Sequence, residues 1–327
     1  MIISRTPFRI SFFGGGTDYP AYYREHGGAV LATTINRYCY LNCRYLPAFF
    51  NHTHRIVYSK TELVNSVGDI QHPAVREALR MLNIDHGVEI HHNGDLPARS
   101  GLGSSSSFAV SILHALYALQ GKLVSKEHLA RQAIELEQNR LNESVGVQDQ
   151  VMTAFGGLNR LEITTNDKYL VSPLPLSIEK TEALENRLLF CFTGVSRTAS
   201  QIAQQKIAAI PKKQQELHTM RQMVDQAAEI LCNGSDIDDF GRLLHESWQL
   251  KRSLVSSIAP DFIHEMYNAA KSAGALGGKL LGAGGGGFMI FYVRPQDRAN
   301  VVKALSKLLI VPIKFEYSGS QIIFNQK

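Results

Sequence analysis

Residues 97–110 read PARSGLGSSSSFAV, and most of what the sequence predicts about fold and function starts from this stretch. Gly101 and Gly103 allow the backbone to approach a ligand closely, and a helix is predicted to open at the four serines that follow. The first turn of a helix has unpaired N–H groups and a positive dipole end, which together favour an anion. A serine N-cap on an ordinary helix is the simpler interpretation. Four successive serines after Gly-Leu-Gly favour phosphate binding.

Two further segments, residues 14–16 and 282–287, are also rich in glycine. The second satisfies GxGxxG, but the strand-like sequence FMIFYV follows it at once, where a dinucleotide-binding fold requires a helix. The serine segment is not a Walker A loop because no Gly-Lys-Ser/Thr is present there. Neither HRD nor VAIK, two hallmarks of protein kinases, occurs in the chain. Dinucleotide-binding and protein-kinase folds are therefore excluded.

The composition is that of a folded chain of about two domains. The chain has 327 residues, of which 44% are hydrophobic and 19% charged, and these values exclude disorder, collagen and a coiled-coil rod. The longest clean apolar run, residues 288–293, is far too short for a membrane-spanning helix. The opening MIISRTPFRISFFGGG has arginines in its apolar stretch and no small-residue cleavage site, so we expect no secretory signal.

The net charge is +5, which suits an anionic small substrate. No dense Lys/Arg block argues for nucleic acid, and we expect neither a nucleic-acid partner nor a membrane partner. The cysteines form no CxxC pair and are expected to be reduced thiols of a cytoplasmic protein. They are Cys39, Cys43, Cys191 and Cys232.

The order of predicted elements indicates an α+β protein. The first half mixes strands with the helix that opens at Ser104, and the second half contains helices beside a small antiparallel sheet. We expect two domains, residues 1–185 and 186–327. The predicted elements of the second domain are helices at Gln214–Leu231, Ile237–Val255, Asp261–Ala273 and Asp297–Leu309, and strands at Phe288–Val293 and Val311–Tyr317.

A carboxylate occupies a position where a core residue is expected in the predicted helix 125–142. Ala130, Ile134 and Leu141 mark its buried stripe, and Glu137 falls on the same stripe. A buried carboxylate is costly unless it is paired or binds a metal. Mg²⁺ prefers such hard oxygen ligands, but a structural salt bridge or a helix end that turns Glu137 to solvent would explain the pattern equally well.

Two aspartates stand beside glycine turns, Asp149 in SVGVQDQVMTAFGG and Asp18 in GGGTDYP. Each is either an ordinary cap or turn residue or a functional group, and Asp149 follows the candidate metal carboxylate. The histidines at 52, 54, 91 and 92 have no third ligand at metal spacing and are interpreted as structural.

The three glycine segments, in this order, resemble the GHMP small-molecule kinases, which include galactokinase, homoserine kinase, mevalonate kinase and phosphomevalonate kinase. RTPFRISFFGGGTDYP is similar to their first motif, PARSGLGSSSSFAV to the second and KLLGAGGGGFMIFY to the third. The resemblance implies a two-domain fold, with an N-terminal domain like ribosomal protein S5 and a ferredoxin-like α+β C-terminal domain. It also implies an ATP-dependent kinase that uses Mg²⁺.

The resemblance further implies a role for individual residues. Asp149 would orient or accept the proton of the attacking hydroxyl, and Arg9 would stabilise that nucleophile. Ser105 and Glu137 would hold Mg²⁺, although the register among the four serines stays open. The expected contacts to the ATP phosphates are Gly101, Leu102, Gly103, Ser104, Ser105 and Ser106. The expected contacts to the substrate are Thr17 and Asp18, together with Gly284 and Gly285 of the third motif.

One departure concerns the acceptor. Galactokinases carry Glu-His where this chain has Gly15 and Gly16, and the version found here is similar to bacterial D-glycero-D-manno-heptose 7-phosphate kinases, which phosphorylate the anomeric hydroxyl. The two glycines leave room for a longer sugar and join the expected substrate contacts. Arg99 and Arg197 are candidate phosphate contacts or ordinary surface arginines. A kinase for a fucose- or galactose-type sugar, or an inactive sugar and ATP sensor on the same fold, are the alternatives.

Overall fold

Two long antiparallel strands, β1 (Ile2–Phe13) and β2 (Gly28–Tyr45), form the centre of the first sheet. The computed structural model describes residues 1–195, 199–234 and 236–326. Both strands are rich in β-branched and aromatic residues and are buried over most of their length, as expected for strands covered on both faces. The first glycine turn, residues 14–16, lies in the connection between these two strands.

Shorter strands extend this sheet on both sides. Its order is β13-β1-β2-β5-β3-β4, with β6 and β12 also paired to β2, and β7 paired to β6. The pairing of β3 with β5 is parallel, and the other pairings are antiparallel. These strands are β3 (His54–Val57), β4 (Thr61–Val64), β5 (Val88–Gly94), β6 (Leu158–Ile163), β7 (Tyr169–Pro173), β12 (Phe315–Glu316) and β13 (Gln321–Asn325).

The second sheet is small and antiparallel, as predicted. Its order is β11-β8-β10-β9. Its strands are β8 (Leu188–Phe192), β9 (Gly277–Leu280), β10 (Phe288–Tyr292) and β11 (Leu309–Ile310). With the helices packed on both sheets, the chain has the α+β class that the sequence indicates.

The helices of the described residues fall between these strands. They are α1 (Pro20–His26), α2 (Pro73–Met81), α3 (Ser104–Leu119), α4 (Lys126–Ile134), α5 (Gln148–Phe155), α6 (Ile178–Arg187), α7 (Ala199–Ala209), α8 (Gln214–Cys232), α9 (Asp238–Leu254), α10 (Asp261–Ser272) and α11 (Arg298–Ala304). α3 packs on β1 and β2 and contacts α4 and α5, whereas α8 and α9 pack on each other and reach β1. The centre of the first sheet is therefore covered by helices from both halves of the chain.

The predicted helix 125–142 differs from the structure in its second part. Ser125 caps α4 by accepting a hydrogen bond from the N–H of His128, but Glu135–Arg140 form a π-helix rather than an α-helix. Short π-helical segments inside helices are frequently found at functional sites. Glu137 lies in this segment and is fully buried, as its place on the stripe predicts.

The end of the chain also differs from the prediction. The strand predicted at 311–317 is confined to Phe315–Glu316, which pair with β2 of the first sheet, and a separate strand at Leu309–Ile310 pairs with β8 of the second. The helix predicted at 297–309 is confined to Arg298–Ala304. β13 then pairs with β1, so the last strands return to the first sheet. The domain boundary at residue 185 stays a proposal. With that boundary, the last two strands of the second domain pair with the sheet of the first domain.

The cysteines are all free thiols. Burial raises the pKa of Cys39, Cys43 and Cys191 to about 12, so these thiols stay protonated and inert. Among the described residues, no helix combines the length and the apolar character that crossing a membrane requires.

Candidate active site

Residues 100–103 form a glycine loop that leads into α3. Gly101 and Gly103 have φ values of +84° and +70°, a left-handed backbone that glycine adopts without strain. The N-cap of α3 is Gly103, and no side chain in the described part of the chain caps the helix, so its first N–H groups are free to bind a ligand. With the positive end of the helix dipole, they form the anion site that the sequence predicts.

The third glycine segment packs against this loop, backbone to backbone. The N–H of Phe288 donates to Ser100 O at 3.1 Å, and a Cβ on Gly101 would lie 2.6 Å from Leu281 O. Glycine is therefore required at residue 101 for the close approach as well as for the left-handed conformation. The contact joins the two halves of the chain at the start of α3.

Arg9 of β1 and Asp149 of α5 form a bidentate ion pair beside the loop. Arg9 Nε and Nη2 donate to Asp149 Oδ1 and Oδ2, each at 2.6 Å, and Arg9 Nη1 donates to Gly101 O at 2.7 Å. The Arg9 side chain is 4% exposed, whereas that of Asp149 is 23% exposed. A bidentate pair of this kind fixes both position and orientation. The structure thus holds one carboxylate rigidly at the end of α3, with part of it open to a ligand.

The carboxylate of Glu137 accepts three hydrogen bonds. Ser105 Oγ donates to Oε1 at 2.7 Å, and Ser106 Oγ and Gln150 Nε2 donate to Oε2 at 2.6 Å. Burial raises the pKa of Glu137 to about 7, although the serine and glutamine bonds favour the charged form. Glu143 stands nearby, and burial raises its pKa as well. The structure contradicts both a salt bridge and a solvent-facing position for Glu137.

These oxygens fit a magnesium ion that is shared with a triphosphate. Glu137, Ser105 and Glu143 supply hard oxygen donors within a few ångströms of one another, and a cation there would relieve the cost of the buried carboxylate. The described residues contain no group of three or more His, Cys, Asp or Glu side chains able to hold a metal by themselves. That agrees with Mg²⁺, which usually takes one or two carboxylates and completes its shell with phosphate oxygens and water.

The first glycine turn places Asp18 across from this cluster. Asp18 is 2% exposed, and Oδ1 accepts the N–H of Gly16 at 2.9 Å. A Cβ on Gly146 would lie 1.9 Å from Asp18 Oδ2, so only glycine lets that loop pass. Burial raises the pKa of Asp18, and the Gly16 bond and the charge of Lys206 oppose the rise. There is space in front of Gly15, because among the described residues a Cβ there would meet only Ser11 Oγ at 3.4 Å and Gln148 Nε2 at 3.8 Å.

One cavity of about 470 Å³ unites these groups. Its wall includes the start of α3, Asp149, Asp18 and the first glycine turn. In the described part of the chain, the wall carries five basic side chains and three acidic ones. The basic residues are Arg9, Arg99, Lys206, Lys251 and Lys279, and the acidic residues are Asp18, Glu143 and Asp149. The excess of basic groups suits the binding of phosphorylated ligands.

Several predicted contacts lie behind this wall. Thr17 is fully buried, and its hydroxyl donates to Gly14 O at 2.8 Å and Ala29 O at 2.9 Å, so it holds the turn. The Leu102 side chain is buried, and its carbonyl accepts the N–H of Arg9 at 3.1 Å. Gly284 and Gly285 pack on the backbone of residue 258, while Gly282 and Ala283 of the same segment reach the cavity.

Of the two arginines predicted to contact a phosphate, one lies at the cavity and the other lies outside the described residues. Arg99 is exposed at the mouth of the cavity, where its N–H donates to Ser104 Oγ at 3.1 Å. It is therefore beside the start of α3. Arg197 lies outside the described residues.

Sequence reasoning missed Glu143 and three lysines. Lys251 has the same signal that identified Glu137, because it shares the buried stripe of α9 with Leu244 and Trp248. Lys279 directly precedes the third glycine segment. Lys206 lies on α7, which the sequence reading did not predict, and nothing local marks it.

Comparisons with known proteins agree with this geometry. The family model "GHMP kinases N terminal domain" matches residues 69–157, and the model "GHMP kinases C terminal" matches residues 225–311. A D-glycero-alpha-D-manno-heptose 7-phosphate kinase of Campylobacter jejuni is 29% identical over 322 residues, covering 94% of this chain and 93% of that protein. A bifunctional fucokinase/GDP-fucose pyrophosphorylase of Arabidopsis thaliana is 25% identical over 324 residues, covering 91% of this chain and 30% of that protein.

A solved structure is similar over the full length. It is that of a D-glycero-D-manno-heptose 1-phosphate kinase from Bacteroides thetaiotaomicron, with a TM-score of 0.79 and 27% identity over 99% of this chain and 100% of that chain. The chain belongs to the GHMP kinases. It is an enzyme, an ATP-dependent phosphotransferase of the sugar-kinase type.

Proposed function

We propose that the enzyme transfers the γ-phosphoryl group of ATP to the anomeric hydroxyl of D-glycero-D-manno-heptose 7-phosphate. The product would be the 1,7-bisphosphate, an intermediate for nucleotide-heptose biosynthesis. The observation that supports this most is the single cavity in which the start of α3, the Arg9–Asp149 pair and Asp18 share one wall. Phosphoryl transfer depends mainly on positioning and charge stabilisation, and these groups supply both.

The donor side is the glycine loop. The free N–H groups of α3 would bind the phosphates of ATP, and Ser104, Ser105 and Ser106 lie on the wall there. Mg²⁺, held by Ser105 and Glu137, would neutralise charge on the triphosphate. Glu143, 3.4 Å from Ser105 Oγ, is an additional acidic group at this point.

The acceptor side is formed by Asp18 and Asp149. Asp18 would fix hydroxyl groups of the sugar, with Gly15 and Gly16 leaving space for its chain. Asp149 would hold the attacking hydroxyl and take its proton as the oxygen bonds to the γ-phosphorus and ADP leaves. Arg9 keeps the carboxylate in place and offsets the negative charge that develops on the nucleophile.

A phosphorylated heptose fits this cavity better than the other acceptors considered. The excess of basic over acidic side chains on the wall matches an acceptor that is itself an anion, and the Campylobacter and Bacteroides relatives are named for heptose phosphates. The alternative, a fucose- or galactose-type acceptor, draws on the similarity to the Arabidopsis protein. An inactive sensor would have no use for the Arg9–Asp149 pair. The free cysteines support a cytoplasmic location.

An acceptor panel tests the proposal. ADP release would be measured for D-glycero-D-manno-heptose 7-phosphate, the corresponding 1-phosphate, the unphosphorylated heptose, L-fucose and D-galactose. The proposal requires the highest kcat/KM for the 7-phosphate. A higher kcat/KM for fucose or galactose would show that the acceptor is that sugar instead. Tight sugar binding without turnover of any compound would favour the inactive sensor.

A further inference from the structure

Three lysines of the second half of the chain converge on the cavity and have no part in the mechanism above. Lys206 of α7, Lys251 of α9 and Lys279 of β9 are 7%, 4% and 2% exposed, and all three line the wall. Within the described residues none of them forms a salt bridge with a carboxylate. Buried ammonium groups without such a partner are rare in proteins because their desolvation is costly.

The protein satisfies these ammonium groups only in part. Lys251 Nζ donates to Leu280 O at 2.6 Å and to Gly282 O at 2.7 Å, and Lys279 Nζ donates to Phe12 O at 2.6 Å. An ammonium has three donors, so one donor of Lys251 and two of Lys279 remain for a ligand. Lys206 Nζ has no hydrogen bond to the described residues and stands 5.3 Å from the centre of the Tyr19 ring.

The lysines are close enough to repel one another. Burial, with smaller contributions from the charges of Lys206 and Arg9, lowers the pKa of Lys279 to about 7. Burial likewise lowers the pKa of Lys251 well below its ordinary value, with additional repulsion from Lys279 and Lys206. An anion placed among the three would remove this repulsion and use the free donors.

The location indicates which anion belongs there. Lys206 stands over Tyr19, next to Asp18, and Lys279 contacts the carbonyl of Phe12, so both face the first glycine turn, where the sugar is proposed to bind. The phosphates of ATP have their own site at the start of α3. Lys251 contacts Gly282 of the third glycine segment, which packs against Gly101 just before α3.

We propose that Lys206, together with Lys251 and Lys279, binds the phosphate group that the acceptor sugar already carries, and that Lys206 makes the contact that selects a phosphorylated over an unphosphorylated sugar. This rests on the proposed function. The three lysines come from the second half of the chain, whereas Asp18 and Asp149 come from the first. One half thus recognises the anionic end of the acceptor, and the other half holds its reacting end.

The test compares acceptor preference in Lys206→Met with that of the wild type. The readout is the ratio of kcat/KM for heptose 7-phosphate to kcat/KM for the unphosphorylated heptose, with KM for ATP measured in parallel. Loss of a charge-assisted hydrogen bond predicts that the ratio falls about 10- to 100-fold, mainly through KM for the phosphosugar. Lys206→Arg should restore part of the preference, and Lys212→Met, which removes an exposed lysine just beyond the same helix, should leave it unchanged.

Two results would overturn the proposal. An unchanged ratio in Lys206→Met would show that this lysine does not recognise the acceptor phosphate, and a rise in KM for ATP alone would assign it to the triphosphate. Lys251→Met provides a second variant and should also lower the ratio.

Direct binding separates this inference from the proposed function. With the site at the start of α3 filled by a saturating non-hydrolysable ATP analogue and Mg²⁺, protection of the wild type by inorganic phosphate against thermal unfolding should be lost in Lys206→Met and kept in Lys212→Met, whichever sugar is the substrate. If the wild type turns over no heptose but this difference holds, the acceptor is wrong and the anion site stands. If phosphate protects Lys206→Met as well as the wild type, the anion site itself is refuted.

Discussion

Replacing Gly103 by alanine tests how closely the glycine loop packs on the Arg9–Asp149 pair. The added Cβ would lie 3.1 Å from Asp149 Oδ2 and 3.3 Å from Arg9 Cγ, so the pair must move by a few tenths of an ångström. The residue also has a φ of +70°, and a left-handed alanine costs about 1–2 kcal/mol. We expect the free energy of unfolding to fall by this amount and kcat to fall by roughly 10-fold or more, because phosphoryl transfer is sensitive to such displacements.

Gly121→Ala is the matched control for this experiment. Gly121 follows the other end of α3 with a φ of +74°, and no atom of the described residues lies within 4 Å of the added Cβ. It should show the same loss in unfolding free energy and no change in kcat. Denaturant titration and steady-state kinetics on both variants separate the two effects. If Gly103→Ala keeps kcat within twofold of the wild type while losing the same stability as Gly121→Ala, the reasoning about the position of Asp149 is refuted.

Three further predictions concern the charged groups of the cavity. Glu137→Gln keeps the shape of the buried side chain but removes its charge, so the Mg²⁺ concentration for half-maximal rate at fixed ATP should rise at least about 10-fold; an unchanged magnesium titration would remove Glu137 from the metal site. Arg9→Lys keeps the charge but loses the bidentate contact to Asp149, so kcat should fall by about 10- to 100-fold while ATP binding measured by calorimetry stays the same; wild-type turnover would contradict it. Burial lowers the pKa of Lys279 to about 7, so the side chain is mostly neutral at pH 7.5. A bound phosphate raises that pKa, and binding of the phosphosugar should therefore take up roughly 0.7 proton. Calorimetry in two buffers of different ionisation enthalpy measures this uptake, which Lys279→Met should abolish.

Patterns within a single segment predicted much of the site. The stripe through Ala130 and Ile134 marked Glu137 as a candidate buried carboxylate, with a solvent-facing helix end as the alternative. The glycines and serines at 101–107 predicted the anion site at the start of α3. Both predictions depend only on neighbouring residues in the sequence, because helical periodicity and helix capping are local patterns. Local patterns did not predict the π-helix at Glu135–Arg140. The hydrogen bonds to Glu137 in this segment come from Ser105, Ser106 and Gln150, which lie elsewhere in the sequence.

The features that sequence reading missed depend on distant contacts. β12 and β13 are short, and their place in the first sheet follows from pairing with strands roughly three hundred residues earlier. Lys206 is unremarkable in its own helix and becomes notable only when α7 brings it to Tyr19. Lys251, in contrast, could have been identified from the sequence, because it lies on the buried stripe of α9 just as Glu137 lies on the stripe of its own helix.

The most direct measurement is ³¹P NMR of the enzyme with Mg²⁺, ATP and D-glycero-D-manno-heptose 7-phosphate, run in parallel with Asp149→Asn. We expect a new anomeric phosphate signal from the wild type. In the variant we expect a rate lower by about 10²-fold or more, with ATP still bound. Absence of the signal from the wild type, with ATP consumed on unphosphorylated sugars instead, would contradict the proposed acceptor. Near-normal turnover by Asp149→Asn would contradict the role of Asp149.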